Sequence, residues 1–162
     1  MSQLSDTLLT LLNEQYAHEK RNQLIYEEMA SAMDFLGLSG AASFLKKQAA
    51  GEGDHAKIVY DYINQRNQLA SIPGIEVPDV LGSFFGVFDA ALAVENATTE
   101  KLTRLATQAM NEGDLMTFFW IKPLIDEQVE DEGIIQTILD RFATCGREQA
   151  QIQLYDTWIG SL

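Results

Sequence analysis

The sequence is poor in the features that staple, anchor or sharply break a chain. It has a single cysteine, Cys145, in 162 residues. That allows no internal disulfide and no thiolate metal site, and it reads as a small buried apolar residue. There are only three prolines, Pro73, Pro78 and Pro123. No apolar run approaches the ~20 residues needed to span a bilayer, so no membrane partner is expected. The opening residues, Met-Ser-Gln-Leu-Ser-Asp, offer neither a basic start nor an apolar signal core, and the expected location is cytoplasmic. Basic residues are scarce: 11 Lys and Arg stand against 24 Asp and Glu, for a net charge of −13. Nucleic acids and anionic membranes need basic patches and are excluded as expected partners, whereas cations are compatible with this balance. No low-complexity segment or usable internal repeat is present.

What the chain does have is helical periodicity. Hydrophobic residues make up 46 %, enough for the core of a single domain spanning 1–162. Glycine and proline punctuation predicts helices over about 5–34, 40–67, 79–110, 114–143 and 147–159. Ser39 and Asp114 are expected N-caps, and Gly113 suits a left-handed helix end. Pro123 lies inside the fourth helix, where it should kink the helix or remove one hydrogen bond. Strand alternation is nearly absent. The class is all-α: two hairpins joined by one long crossover, Gln68–Pro78, in a four-helix bundle with a short fifth helix.

Each helix has an inward seam spaced 3-4-3-4. The first runs Leu8, Leu12, Gln15, Glu19, Asn22, Tyr26, Met29, Met33. The second runs Ala41, Leu45, Gln48, Glu52, His55, Val59, Tyr62. The third runs Leu81, Phe84, Phe88, Ala91, Glu95, Thr98, Leu102, Leu105, Ala109. The fourth runs Thr117, Ile121, Leu124, Gln128, Asp131, Ile135, Ile138, Phe142. The ends are mainly apolar and the middles polar. Helix midpoints fall near residues 20, 53, 95 and 128, so Glu19, Glu52, His55, Glu95, Gln128 and Asp131 should meet in one layer. No lysine or arginine lies on these seams.

Buried carboxylates without partners are very costly, and four at one level repel. Protonation would neutralise some of them. Two divalent cations would neutralise all four and engage their lone pairs. Oxygen ligands with one imidazole suit iron or manganese better than a closed structural zinc site. Ferritin-like di-iron bundles take one Glu from each of two helices and a Glu-x-x-His from each of the other two. Here only Glu52-x-x-His55 is present, and the fourth helix offers Gln128-x-x-Asp131. Gly51 and Gly53 flank Glu52, each at a cost of about 1 kcal/mol in a helix.

These residues resemble the ferritins, most closely the non-haem ferritins of prokaryotic type. The matching segments are Leu-Asn-Glu-Gln-Tyr-Ala-His-Glu at 12–19, Gly-Ala-Ala-Ser-Phe-Leu-Lys-Lys at 40–47, Glu52 with His55, Glu95, and Asp126-Glu127-Gln128-Val129-Glu130-Asp131. The resemblance implies a ferroxidase that oxidises Fe(II) with O₂ or H₂O₂ at a di-iron centre. It also implies storage of ferric mineral in a homo-oligomeric cage of twenty-four chains. By position, Glu19, Glu52 and His55 match the ligands of the first iron, with Glu52 bridging. Glu95 and Asp131 match the second, with Gln128 close by and Tyr26 beside the centre. Asp131 stands where the prokaryotic family usually has glutamate, which implies a weaker second site. Gly51 replaces a common glutamate, so a third iron held by Glu127 and Glu130 would be weak. Haem is not expected, because Gly53 lies about where haem-binding relatives carry a methionine. Two other readings compete: a non-storing di-iron oxidase or peroxidase of the same bundle, and a non-catalytic bundle using buried polar groups for pairing specificity.

Overall fold

Five α-helices form the regular framework of residues 3–78 and 82–162, the part of the chain that the computed structural model describes. They are α1 (Asp6–Phe35), α2 (Ser39–Gln65), α3 (Phe84–Asn111), α4 (Leu115–Cys145) and α5 (Ile152–Ile159). No strand occurs among the described residues. The packing pairs are α1 with α2, α3 with α4, α1 with α3, and α5 with α2. The architecture is a ferritin-like four-helix bundle with a long crossover after α2 and a short fifth helix.

Local chemistry explains most helix ends. Ser5 Oγ accepts from Leu8 N at 3.1 Å, and Asp114 Oδ1 accepts from Thr117 N at 3.1 Å. Each thereby satisfies a first-turn donor that has no partner within the helix. Helix α1 ends at Gly37 (φ +74°), α2 at Asn67 (φ +56°) and α3 at Gly113 (φ +68°). In each case the next N–H bonds back to a carbonyl five residues earlier, as in Leu38 N to Met33 O at 2.9 Å.

Three expectations need correction. The third helix, expected from about Asp79, begins at Phe84, because Ser83 is extended (φ −66°, ψ 162°) and its hydroxyl accepts from Gly86 N. The expected start and seam position at Asp79–Leu81 lie outside the described residues. Ser39 is not the cap of α2. It is already helical, and the preceding Leu38 has no capping side chain. The fifth helix is shorter than 147–159, since Gly146 (φ +98°) breaks the chain and residues 149–151 form a 3₁₀ turn.

The seams bury as a set, with Gln48 and Asp131 only partly covered. Two apolar clusters result. One contains Leu12, Val59, Leu105 and Ile121, and the other Met29, Leu45, Phe88 and Phe142. Each fully buried large side chain contributes about 1.5–3 kcal/mol. Between the clusters lies a buried layer of Gln15, Glu19, Asn22, Glu52, His55, Glu95, Thr98 and Gln128. That layer opposes stability unless something engages it.

Other details bear on charge and access. A buried arginine does lie just past the α2 seam: Arg66, 4 % exposed, pairs with Asp114 at 2.8 Å. It ties the end of α2 to the start of α4, away from the carboxylates. The crossover is pinned to α1 by Ser71 N donating to Asn13 Oδ1 (2.8 Å) and Arg21 Nε donating to Glu76 O (3.1 Å). Cys145 is exposed rather than buried, because it ends α4 at the bundle surface. No described helix is long and apolar enough to cross a membrane.

Candidate metal centre

Glu19 on α1 and Glu52 with His55 on α2 come together at mid-bundle. One ligand atom from each lies within 4.8 Å of the other two, and all three residues are buried. The three-residue spacing of Glu52 and His55 sets them on one face of the helix, one turn apart. A second group shares the histidine: His55, Glu127 and Asp131 also offer atoms within 4.8 Å of one another. Here Glu127 is exposed and Asp131 partly so. His55 Nδ1 stands 3.5 Å from Glu52 Oε2, and its Nε2 stands 3.3 Å from Glu127 Oε2. The imidazole thus links the buried group to a surface cleft of about 340 Å³ lined by Gly51, Glu52, His55, Glu127 and Asp131.

Glu95 on α3 is held in a different way. Tyr26 Oη donates to its Oε1, and Gln128 Nε2 donates to its Oε2 at 2.8 Å. Gln128 also reaches the Glu95 carbonyl at 3.1 Å, tying α4 to α3 beside the site. Glu130 is exposed and joins neither group.

The electrostatics are those of a buried acid cluster. Burial, then the neighbouring Glu52, pushes the Glu19 carboxyl well above the ordinary carboxylate range. Burial raises Glu52 to about 7, against the opposing influence of the neighbouring Glu19 and Asn22 side chains. Burial and then Glu95 raise Asp131 to about 6. Glu95 is raised by burial and partly restored by its bonds from Tyr26 and Gln128. The Tyr26 hydroxyl is held well above its usual value by burial and by Glu95. It stays protonated as a donor.

Among the described residues, Glu19 Oε2, Glu52 Oε2 and His55 Nε2 are buried without a hydrogen-bond partner, His55 Nε2 lying 3.3 Å from Glu127 Oε2 but outside hydrogen-bonding geometry. Buried polar atoms are normally satisfied, and the orphans here are concentrated in one cluster. Two carboxylate oxygens and an imidazole nitrogen form a donor set that fits a divalent transition-metal ion.

Several buried polar neighbours were not among the expected site residues. Gln15 Nε2 donates to Glu19 Oε1 at 2.5 Å. Asn22 Nδ2 donates to Glu52 Oε1 at 3.3 Å and to Thr98 Oγ1 at 3.0 Å. His18 Nε2 lies 2.9 Å from the same hydroxyl. Gln15, Asn22 and Thr98 do lie on the seams, which was a usable signal. His18 sits one residue off the seam and carried none.

Comparisons with known proteins place the chain in a family. The family model of the ferritin-like domain matches residues 9–145. A bacterial non-heme ferritin of Staphylococcus epidermidis is 34 % identical over 154 residues, covering 94 % of this chain and 93 % of that protein. A probable bacterial non-heme ferritin-like protein of Haemophilus influenzae is 30 % identical over 160 residues, covering 98 % and 97 %. An open pore ferritin from the hyperthermophilic archaeon Archaeoglobus fulgidus superposes with a TM-score of 0.92 at 25 % identity, covering 99 % of this chain and 98 % of that one. This chain belongs to the ferritin family, among its bacterial non-heme members.

Proposed function

We propose that this chain stores iron, acting as a cytoplasmic ferroxidase that keeps its ferric product inside a homomeric cage of twenty-four copies. The observation carrying the reading is the set of unpartnered buried atoms Glu19 Oε2, Glu52 Oε2 and His55 Nε2, which supply ligands from two helices at one level. Fe(II) is the substrate. Glu19, Glu52 and His55 would hold one ion. Glu52, Glu95 and Asp131 would hold the other, with Gln128 at its side and Tyr26 fixing Glu95. Four carboxylates balance the charge of two divalent ions.

The chemistry is a two-electron oxidation. Two Fe(II) give up one electron each; O₂ takes both with two protons and leaves as H₂O₂, or H₂O₂ takes them with two protons and leaves as two waters. Fixed anionic oxygen ligands favour the higher-charged product ion. The carboxyls with raised pKa release protons as the ions bind, because ligands must be ionised. The cleft bounded by His55, Glu127 and Asp131 gives the ions a charged approach, and Glu127 and Glu130 would at most hold a weak third ion there. The net charge of −13 should draw Fe(II) inward, an effect that weakens with salt.

The test is aerobic Fe(II) loading of the apo protein, followed by size exclusion with iron and protein read in the same fractions. Many ferric ions per chain on a large assembly are the expected result. About two oxidised ions per chain on a small oligomer would mean a non-storing oxidase. No co-eluting iron, with oxidation no faster than in buffer, would leave the polar layer a purely structural device.

A further inference from the structure

A fourth buried side-chain atom without a partner accompanies the three above: Asn22 Oδ1. Asn22 is 0 % exposed and sits on α1 one turn beyond Glu19, on the same seam. Its amide nitrogen is fully used. One N–H goes to Glu52 Oε1 at 3.3 Å and the other is shared between Thr98 Oγ1 at 3.0 Å and His18 Nε2 at 3.3 Å. The opposite amide orientation is unfavourable. Thr98 spends its own hydroxyl proton on Val94 O at 3.2 Å, so a turned amide would set its carbonyl against two acceptors. The nitrogen therefore belongs on Glu52 and Thr98, and the carbonyl oxygen is the group left over.

Nothing in the packing of an apolar core calls for this residue. A purely apolar side chain of similar size would remove the Asn22 Oδ1 orphan but leave Glu52 Oε1 without its donor, so asparagine serves the carboxylate rather than the packing. The same side chain restrains Glu52 through Oε1 while Glu52 Oε2 stays unpartnered. We infer that Asn22 is a member of the metal site. Its nitrogen positions the Glu52 carboxylate so that Oε2 is the oxygen given to the ion, and its carbonyl is a neutral oxygen acceptor for the hydrated divalent cation. Thr98 and His18 hold the amide in place. A neutral donor suits this position, because a further carboxylate would add to the repulsion that already raises Glu19 and Glu52.

This inference rests on the metal-binding reading proposed above, and its test separates the two. Zn(II), which is redox-inert, is titrated calorimetrically into apo wild type, Asn22→Leu and Asn22→Ala, with urea unfolding of each apo protein alongside. Wild type should bind two Zn(II) per chain. Both variants should weaken one site by roughly tenfold to a hundredfold, the range for groups that orient metal ligands. Apo Asn22→Leu should unfold near the wild-type urea midpoint, since it removes the Asn22 Oδ1 orphan but costs Glu52 Oε1 its donor. A packing role alone gives the reverse: lower apo stability with unchanged Zn(II) affinity, which overturns the inference and leaves the metal reading standing. Should Asn22→Leu not fold, Asn22→Ala decides by the same titration. A wild-type chain with no tight Zn(II) site overturns both.

Discussion

Asp156 on the fifth helix caps the second helix: its Oδ1 accepts from Ala41 N at 2.7 Å, across 115 residues of sequence. The start of α2 has no cap of its own, so this carboxylate supplies one from another element. Gly40 and Gly160 make the approach possible. A Cβ on Gly40 would lie 2.0 Å from the Asp156 carbonyl oxygen, and one on Gly160 would lie 2.8 Å from Gly40 Cα. Asp156→Ala should therefore lower stability by about 0.5–2 kcal/mol, the usual cost of losing a cap, read by urea unfolding. Gly40→Ala should cost more, because it pushes α5 off the bundle. Equal stability of all three proteins would show that the docking of α5 does not depend on this contact.

The acid layer predicts an unusual pH response for the apo protein. Glu19, Glu52 and Asp131 all have folded pKa values raised above their unfolded ones, Glu52 to about 7 and Asp131 to about 6. The folded state then holds more protons than the unfolded state, so stability falls as pH rises through those values. His18 opposes this at lower pH. Burial, Lys101 and Arg21 lower it to about 4, so it contributes stability above its ordinary 6.5 that is lost on acidification. Above pH 6.5 the histidine contribution is complete and the acids dominate. The unfolding temperature of the apo protein should therefore still fall from pH 6.5 through the Glu52 value of about 7, Asp131 having titrated below that range; Glu52→Gln should flatten the fall, and saturating Zn(II) should remove it.

Glu52 contributes to the buried group and carries the orphaned Oε2, so its loss should damage the centre most. Glu52→Gln and His55→Ala should each slow initial Fe(II) oxidation by about tenfold or more, followed by stopped-flow absorbance of ferric product. Circular dichroism should show the helices intact. Wild-type rates in both variants would sink the assignment.

Asp131 is partly exposed and one methylene shorter than glutamate. Its reach toward the layer is correspondingly short, and two metals per chain should bind with unequal affinity. Asp131→Glu should tighten the weaker site by roughly tenfold in a Zn(II) titration. Two equally tight sites in wild type would contradict this account.

Gly51 faces open space, with nothing within 4 Å of an added Cβ, whereas a Cβ on Gly53 meets the Gln23 side chain at 3.2 Å. Gly51→Ala should thus stabilise the protein by about 0.5–1 kcal/mol, the helix-interior difference between the two residues. If local bending of α2 admits iron, the same variant should oxidise Fe(II) more slowly. Unchanged kinetics would reduce the glycine to a weak spot in the helix.

Much of this protein is legible from one-dimensional pattern. Period-3.6 seams identify the four long helices and which face of each is buried, because burial of apolar area acts on every turn alike. Polar residues interrupting all four seams at one level locate the site layer, because bundle helices of similar length meet at their midpoints. Sequence alone also supplies the local stop at Gly113, where a left-handed residue lets the last carbonyls be satisfied. Tertiary structure decided the rest. It set the start of α2, whose cap comes from Asp156. It placed His18, which is off the seam yet buried against Thr98. It divided the layer, giving Glu95 to Tyr26 and Gln128 while His55 is shared between Glu52 and Glu127. Periodicity reports which face of a helix is covered. Which atom of a side chain keeps a partner depends on how the helices are rotated and stacked, and that is fixed only when they pack.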